Sequence, residues 1–133
     1  MAGLYFHIPF CASKCHYCNF FSVAGNRDRA EYTEWILREM ELRKEYLMGE
    51  TVHTLYFGGG TPSLLKPSEV DRILQKVRAL FSVAADAEIT LEANPEHINK
   101  DFLVALFQTG VTRLSLGVQS LNDEVLTYLG RRH

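Results

Sequence analysis

Three cysteines fall within eight residues of a chain that has no others: Cys11, Cys15 and Cys18, in a C-x3-C-x2-C spacing. Three thiolates this close on one loop can each ligate a different corner of a cubic [4Fe–4S] cluster, leaving the fourth iron open to a substrate or cofactor. Other uses of these residues fit less well. A structural zinc site closes with four ligands; His7, His16 or His53 could supply a fourth, but no second ligand pair accompanies the cysteines. A disulfide framework favours an even count. A buried structural thiol accounts for any single cysteine, but poorly for a cluster of three beside Ser13, Lys14 and His16.

A second group of residues could contact a small molecule. Gly58-Gly59-Gly60-Thr61-Pro62 leaves an apolar run and exposes backbone N–H and C=O groups; it reads either as a ligand loop or as a tight turn. It is no phosphate loop, since no Gly-Lys-Ser or Gly-Lys-Thr follows, and it lacks the dinucleotide spacing. Glu92, in Leu-Glu-Ala-Asn-Pro, could accept hydrogen bonds from ribose hydroxyls or stand as a solvated acid. The Gln119 amide can donate and accept, and the Arg131 fork can hold a carboxylate; each also suits an ordinary solvated end of an element. Tyr5 and Tyr17 read as wall aromatics, and His7, beside the cysteines, is placed to hydrogen-bond there. His53 and His97 read as surface or strand-edge residues.

The elements that must position these residues alternate between strand and helix. Leu4 to Ile8 is a strand ending at Pro9, and Asp28 to Leu47 a helix with Tyr32, Trp35, Ile36, Met40 and Tyr46 on one side, stopped at Gly49. Val52 to Phe57 is a strand, Pro67 and Ser68 open a helix carrying Val70, Ile73, Leu74, Val77 and Phe81, and Ala87 to Leu91 is a strand with Pro95 beyond it. Asn99 caps a helix carrying Phe102, Leu103, Leu106 and Phe107, ended by Gly110. Val111 to Leu116 is a last strand, followed by a helix from Asn122 or Asp123 to near Gly130. Such alternation predicts an α/β fold with a parallel sheet, an incomplete (β/α) barrel, with its chemistry at the C-terminal ends of the strands. The cysteines, the glycines, Glu92 and Gln119 each fall at one of those ends.

The bulk composition sets the class. The chain has 133 residues, 47% of them hydrophobic, which suits one domain. With 14 basic and 16 acidic residues the net charge is −2, and no basic stripe argues for nucleic acid. No apolar run is long enough to span a bilayer, and the N-terminus lacks the parts of a secretory signal. A cytoplasmic, reducing setting is the expectation, and it suits free thiolates. Four strands cannot close a barrel, so residues 1–133 are expected to be the N-terminal part of a longer domain whose C-terminal remainder is absent.

Taken together, Tyr-Phe-His-Ile-Pro-Phe-Cys at 5–11, the cysteine run, Phe-Gly-Gly-Gly-Thr-Pro-Ser at 57–63, Leu-Glu-Ala-Asn-Pro at 91–95, Arg-Leu-Ser-Leu-Gly-Val-Gln-Ser at 113–120 and the closing Leu-Gly-Arg-Arg-His resemble the radical S-adenosylmethionine (SAM) domain. Within it, they resemble the family of oxygen-independent coproporphyrinogen III oxidase and its relative, the heme chaperone HemW. The resemblance spans essentially the whole chain. It implies the N-terminal part of a (β/α)6 partial barrel. It implies that Cys11, Cys15 and Cys18 hold a [4Fe–4S] cluster whose open iron is chelated by the amino and carboxylate groups of SAM. It further implies that Tyr5 and Tyr17 flank the cofactor, that Gly59, Gly60 and Thr61 contact its methionine part, that Glu92 and Gln119 hold its ribose, and that Arg131 faces its carboxylate. An electron from the cluster would cleave SAM to methionine and a 5′-deoxyadenosyl radical.

One departure separates the two branches. The oxidase branch, which decarboxylates coproporphyrinogen III to protoporphyrinogen IX, carries an extra cysteine two places after the third; here that place is Phe20. The resemblance therefore leans to the chaperone branch, which binds heme and passes it to an acceptor protein, through regions expected beyond His133. It also implies an electron donor such as flavodoxin or ferredoxin, and peripheral membrane contact for heme delivery.

Overall fold

The computed structural model describes residues 2–25 and 29–131. The expected helix start at Asp28 and the closing Arg132 and His133 lie outside the described residues. Strand β1 (Ala2–Ile8) leads into two short strands, β2 (Phe10–Cys11) and β3 (Val23–Ala24), and helix α1 (Arg29–Leu42). Then follow β4 (Val52–Gly59), α2 (Pro67–Leu80), β5 (Val83–Ala93), α3 (Lys100–Thr109), β6 (Arg113–Leu116) and α4 (Asp123–Tyr128). The main sheet is four-stranded and parallel, in the order β1-β4-β5-β6, so each strand lies beside the next along the chain except for the small β2–β3 pair. This is the α/β partial barrel that the alternation of elements predicts.

The two faces of the sheet differ in kind, because side chains alternate along a strand. Phe6, Ile8, Leu55, Phe57, Ile89 and Leu91 point to one face and are buried beneath Ile36 and Met40 of α1, the Val70, Ile73, Leu74 and Val77 stripe of α2, and Leu106 of α3. Burying each such side chain contributes roughly 1.5–3 kcal/mol. The opposite face is polar: Tyr5, Tyr56, Thr90, Glu92, Arg113 and Ser115 occupy matching register positions. Parallel sheets are ordinarily apolar on both faces. A polar face is therefore a surface kept for something other than packing. Arg113 Nη1 is tied down on it by Glu88 Oε1 at 3.0 Å and Thr90 Oγ1 at 3.4 Å.

Helix ends follow the sequence signals closely. Asn99 Oδ1 accepts the Phe102 N–H at 2.9 Å, and Gly110 closes α3 in the left-handed conformation. Asn122 Oδ1 accepts from the Glu124 and Val125 N–H groups at the start of α4. The first helix departs from expectation. It stops at Leu42, and a 3-10 turn over Lys44–Leu47 takes the chain to Met48 and Gly49, both left-handed. Trp35 and Tyr46 do not join the core face: they are 54% and 72% exposed, shielded by Arg38 and Arg43. A guanidinium over an exposed aromatic face adds about 0.5–1 kcal/mol of attraction. Phe107 likewise points outward, and of the four apolar residues expected to line this helix only Leu106 is buried. The third main strand is longer than expected and the fourth begins two residues later, at Arg113.

A candidate iron–sulfur and SAM site at the strand ends

The cysteine loop runs from the end of β1 to β3 and is closed at its base. Val23 N–H donates to Pro9 O at 2.8 Å and Gly25 N–H to Cys11 O at 2.9 Å, which pairs β2 with β3 and draws the ends of the loop together. Helix α1 braces the same point: the Tyr32 hydroxyl donates to His7 O at 2.7 Å and its ring meets Phe10 edge-on. All three cysteines are free and half-buried. They line one concavity of about 90 Å³ together with Ser22, Thr61 and Arg131.

The donors around these sulfurs suit a negatively charged sulfur-rich group. Thr61, 5% exposed, donates its hydroxyl to Cys11 Sγ at 3.6 Å, and Arg131 Nη1 lies 3.9 Å from Cys15 Sγ. The Ser22 hydroxyl oxygen is buried with no hydrogen-bond partner among the described residues, and such an atom is costly unless something satisfies it. Among the described residues no three His, Cys, Asp or Glu side chains converge on a point that one metal ion could occupy. A cubane asks for no such convergence, since each thiolate binds its own iron.

The glycines do more for the protein than the sequence suggests. A Cβ on Gly60 would stand 2.7 Å from Phe10 O and 2.8 Å from Pro9 C, so this glycine lets the second loop press against the strand that carries Cys11. Gly59 has φ +116°, and its missing side chain is replaced by the His7 imidazole at 2.7 Å. Besides this close packing, Gly59 and Gly60 line a second concavity of about 370 Å³.

That larger concavity adjoins the cysteine cavity, and the two share Tyr17, Cys18, Gly60, Thr61, Asn94 and Arg131. Glu92 and Gln119 line its far side, and Phe20 its rim. Glu92 is held firmly: Tyr56 donates its hydroxyl to Oε1 at 2.7 Å, and Gly59 N–H donates to Oε2 at 3.2 Å. The hydrogen bond to Glu92, with partial burial, raises the Tyr56 hydroxyl above the ordinary phenol pKa. Each carboxylate oxygen keeps acceptor capacity toward the cavity. Gln119 has φ +62°, a left-handed conformation that is rare for a residue with a side chain and is found disproportionately at functional positions. Arg131 Nη1 donates to the Tyr17 hydroxyl at 3.1 Å; its Nη2 donates to Asn94 Oδ1 at 2.9 Å and Gly117 O at 2.8 Å.

The structure therefore brings Cys11, Cys15, Cys18, Tyr17, Gly59, Gly60, Thr61, Glu92, Gln119 and Arg131 to two adjoining cavities. Tyr5 stands apart from both. It lies on the polar sheet face, stacked on Tyr56 at 6.0 Å, with its hydroxyl 3.3 Å from His7 Nδ1. Sequence reasoning missed Asn94, Ser63 and His97, and His97 is no strand-edge residue. It sits in a 3-10 turn with Nδ1 2.9 Å from Ser63 Oγ. The presence of Ser63 and Asn94 inside the quoted motifs was the one available signal.

The comparisons with known proteins agree with this geometry. The Radical SAM superfamily profile matches residues 5–133. The chain is 45% identical over 133 residues to the heme chaperone HemW of Escherichia coli (strain K12), covering 98% of this chain and 35% of that protein. It is 42% identical over 135 residues to HemW of Mycobacterium tuberculosis (strain CDC 1551 / Oshkosh), again covering 98% and 35%. Among solved structures, coproporphyrinogen III oxidase (HemN) from Escherichia coli, described as a radical SAM enzyme, superposes with a TM-score of 0.90 at 34% identity, covering 98% of this chain and 31% of that one. The chain thus spans about a third of the length of the relatives it matches. Among the described residues no helix is long and apolar enough to cross a membrane. The strand-end cysteines, the parallel partial barrel and these similarities carry one conclusion: the chain belongs to the radical SAM superfamily.

Proposed function

We propose that this chain is the cluster- and SAM-binding part of a heme chaperone of the HemW type. The cluster would be held by the Cys11, Cys15 and Cys18 thiolates, and when bound it supplies the electron that cleaves SAM. The chain's own residues do the holding. Thr61 and Arg131 place hydrogen-bond donors against the Cys11 and Cys15 sulfurs. Arg131 also reaches the larger cavity, where a guanidinium suits the SAM carboxylate. Gly59 and Gly60 offer backbone to the methionine part, Glu92 and Gln119 offer acceptors and donors to the ribose, and Tyr17 closes the side between the two cavities. Tyr5, outside both cavities, would act on the cofactor only indirectly, by stacking on the Tyr56 that holds Glu92.

The observation that carries the choice of branch is Phe20. It is 70% exposed on the rim of the larger cavity, where the oxidase pattern has a further cysteine. A phenyl ring there offers apolar surface and no acid, base or redox group. The similarity to HemW proteins of Escherichia coli and Mycobacterium tuberculosis, at 45% and 42% identity, supports the same branch. In this reading heme is the ligand, a heme-accepting protein the partner, and a flavodoxin or ferredoxin the electron source.

The test is heme titration of the full-length, anaerobically reconstituted protein, with product analysis after adding coproporphyrinogen III, SAM and reductant. Stoichiometric heme binding with no protoporphyrinogen IX is the expected result. Turnover to protoporphyrinogen IX would make the protein an oxidase and defeat the argument from Phe20.

A further inference from the structure

Arg131 belongs to a site whose two cavities it joins, yet it sits after a short helix at the far end of the described chain. Its orientation depends on what grips it from the sheet. Nη2 donates to Asn94 Oδ1 at 2.9 Å and to Gly117 O at 2.8 Å. The absent side chain at Gly117 makes room for this pair: a Cβ there would stand 3.2 Å from Asn94 Oδ1 and 3.5 Å from Arg131 Nη2.

Asn94 is itself held. Its backbone N–H donates to Ser63 Oγ at 3.3 Å. Ser63 is 5% exposed, just past the glycine loop, and its oxygen lies 2.9 Å from His97 Nδ1. His97 Nε2 lies 3.5 Å from Glu96 Oε1. His97 N–H in turn donates to Asn94 O at 3.0 Å, so Asn94 is pinned at both its amide and its carbonyl.

We infer that Asn94, locked by Ser63 and His97, is the positioning residue that aims the Arg131 guanidinium into the site. The inference rests on the radical SAM reading given above. It assigns Asn94 no contact with the reacting atoms. The chain of hydrogen bonds joins the loop after β4, the end of β5 and the segment after α4. Three segments distant in the chain are thereby tied together before any ligand arrives, and a preorganised guanidinium loses less freedom on binding.

The experiment is a double-mutant cycle on the anaerobically reconstituted full chain, reading the SAM dissociation constant from the SAM-induced change in the electron paramagnetic resonance spectrum of the reduced cluster. Asn94→Ala should weaken SAM binding about tenfold, the scale of a lost hydrogen bond to a charged group. Cluster content should not change. Asn94→Asp, which keeps the acceptor, should restore binding. In an Arg131→Ala background Asn94→Ala should cost nothing further, because its effect passes through Arg131. Additive losses in the double variant would overturn the inference, since Asn94 would then act on the ligand or the fold independently. Failure of the unmodified protein to show any SAM-induced change would instead bring down the functional reading on which the inference rests.

Discussion

Replacing Cys15 by alanine is expected to leave the anaerobically reconstituted protein without a four-iron cluster. Cys15 lies in the middle of the loop, half-buried, with a guanidinium nitrogen of Arg131 at 3.9 Å. Losing it leaves two thiolates, Cys11 and Cys18, for a group that needs three. Removing even an outer partner of a ligand typically lowers metal affinity roughly 10–100-fold, so removing a ligand outright should lower cluster occupancy by at least about that factor. The fold should survive, since the cysteines stand outside the apolar core beneath the helices. Iron and sulfide content, read beside an unchanged far-ultraviolet circular dichroism spectrum, decides the matter. A Cys15→Ala protein that keeps a four-iron spectrum would refute the assigned ligand set.

Glu92→Ala has the second largest expected effect, and it should separate from the first. Glu92 lines only the larger cavity, which Cys18 alone of the three cysteines reaches. Its two oxygens are oriented by Tyr56 and by the Gly59 N–H, which fixes a charged acceptor toward that cavity. Hydrogen bonds to a charged group contribute about 1.5–3 kcal/mol each, so SAM affinity should fall roughly 10–100-fold. The cluster should remain. Glu92→Gln keeps one acceptor oxygen, enough for the Gly59 N–H while the Tyr56 hydroxyl turns to accept from the new NH2, and it loses the charge; an intermediate affinity is expected. Equilibrium dialysis with labelled SAM gives the number. Unchanged SAM affinity in Glu92→Ala, or loss of the cluster, would contradict the division of labour between the two cavities.

What the sequence disclosed and what it hid divide along physical lines. Local signals were legible. The caps at Asn99 and Asn122 act within three residues, and the stripe of Val70, Ile73, Leu74 and Val77 repeats within one helix, so both could be read directly. The cysteine spacing is local too. Long-range partners were not legible. Nothing near Arg131 announces that it meets Tyr17 and Asn94, which lie 114 and 37 residues away. Likewise the Ser63–His97 contact spans 34 residues. Strands β2 and β3 have two residues each, too short to show any period. The helical spacing that put Trp35 and Tyr46 on the core side misled: both are exposed, and Tyr46 lies in the 3-10 turn beyond the end of the helix at Leu42. The left-handed backbone at Gln119 has no signature in a residue type that ordinarily avoids it.

The polar sheet face shows how the fold prepares the site. Tyr56 and Glu92 face the same way because they sit in matching phase on neighbouring parallel strands. The same alternation sends Phe57 and Leu91 into the core. The sheet is thus anchored by one set of residues and equipped by the set between them.

The central claim is that the three cysteines hold a cluster with an iron left open for SAM. The most direct measurement is iron and acid-labile sulfide content of the anaerobically reconstituted protein, followed by electron paramagnetic resonance of the reduced sample with and without SAM. The account predicts four irons and four sulfides per chain and a spectrum that changes when SAM is added. One tightly held zinc with no acid-labile sulfide, or a four-iron signal indifferent to SAM, would contradict it.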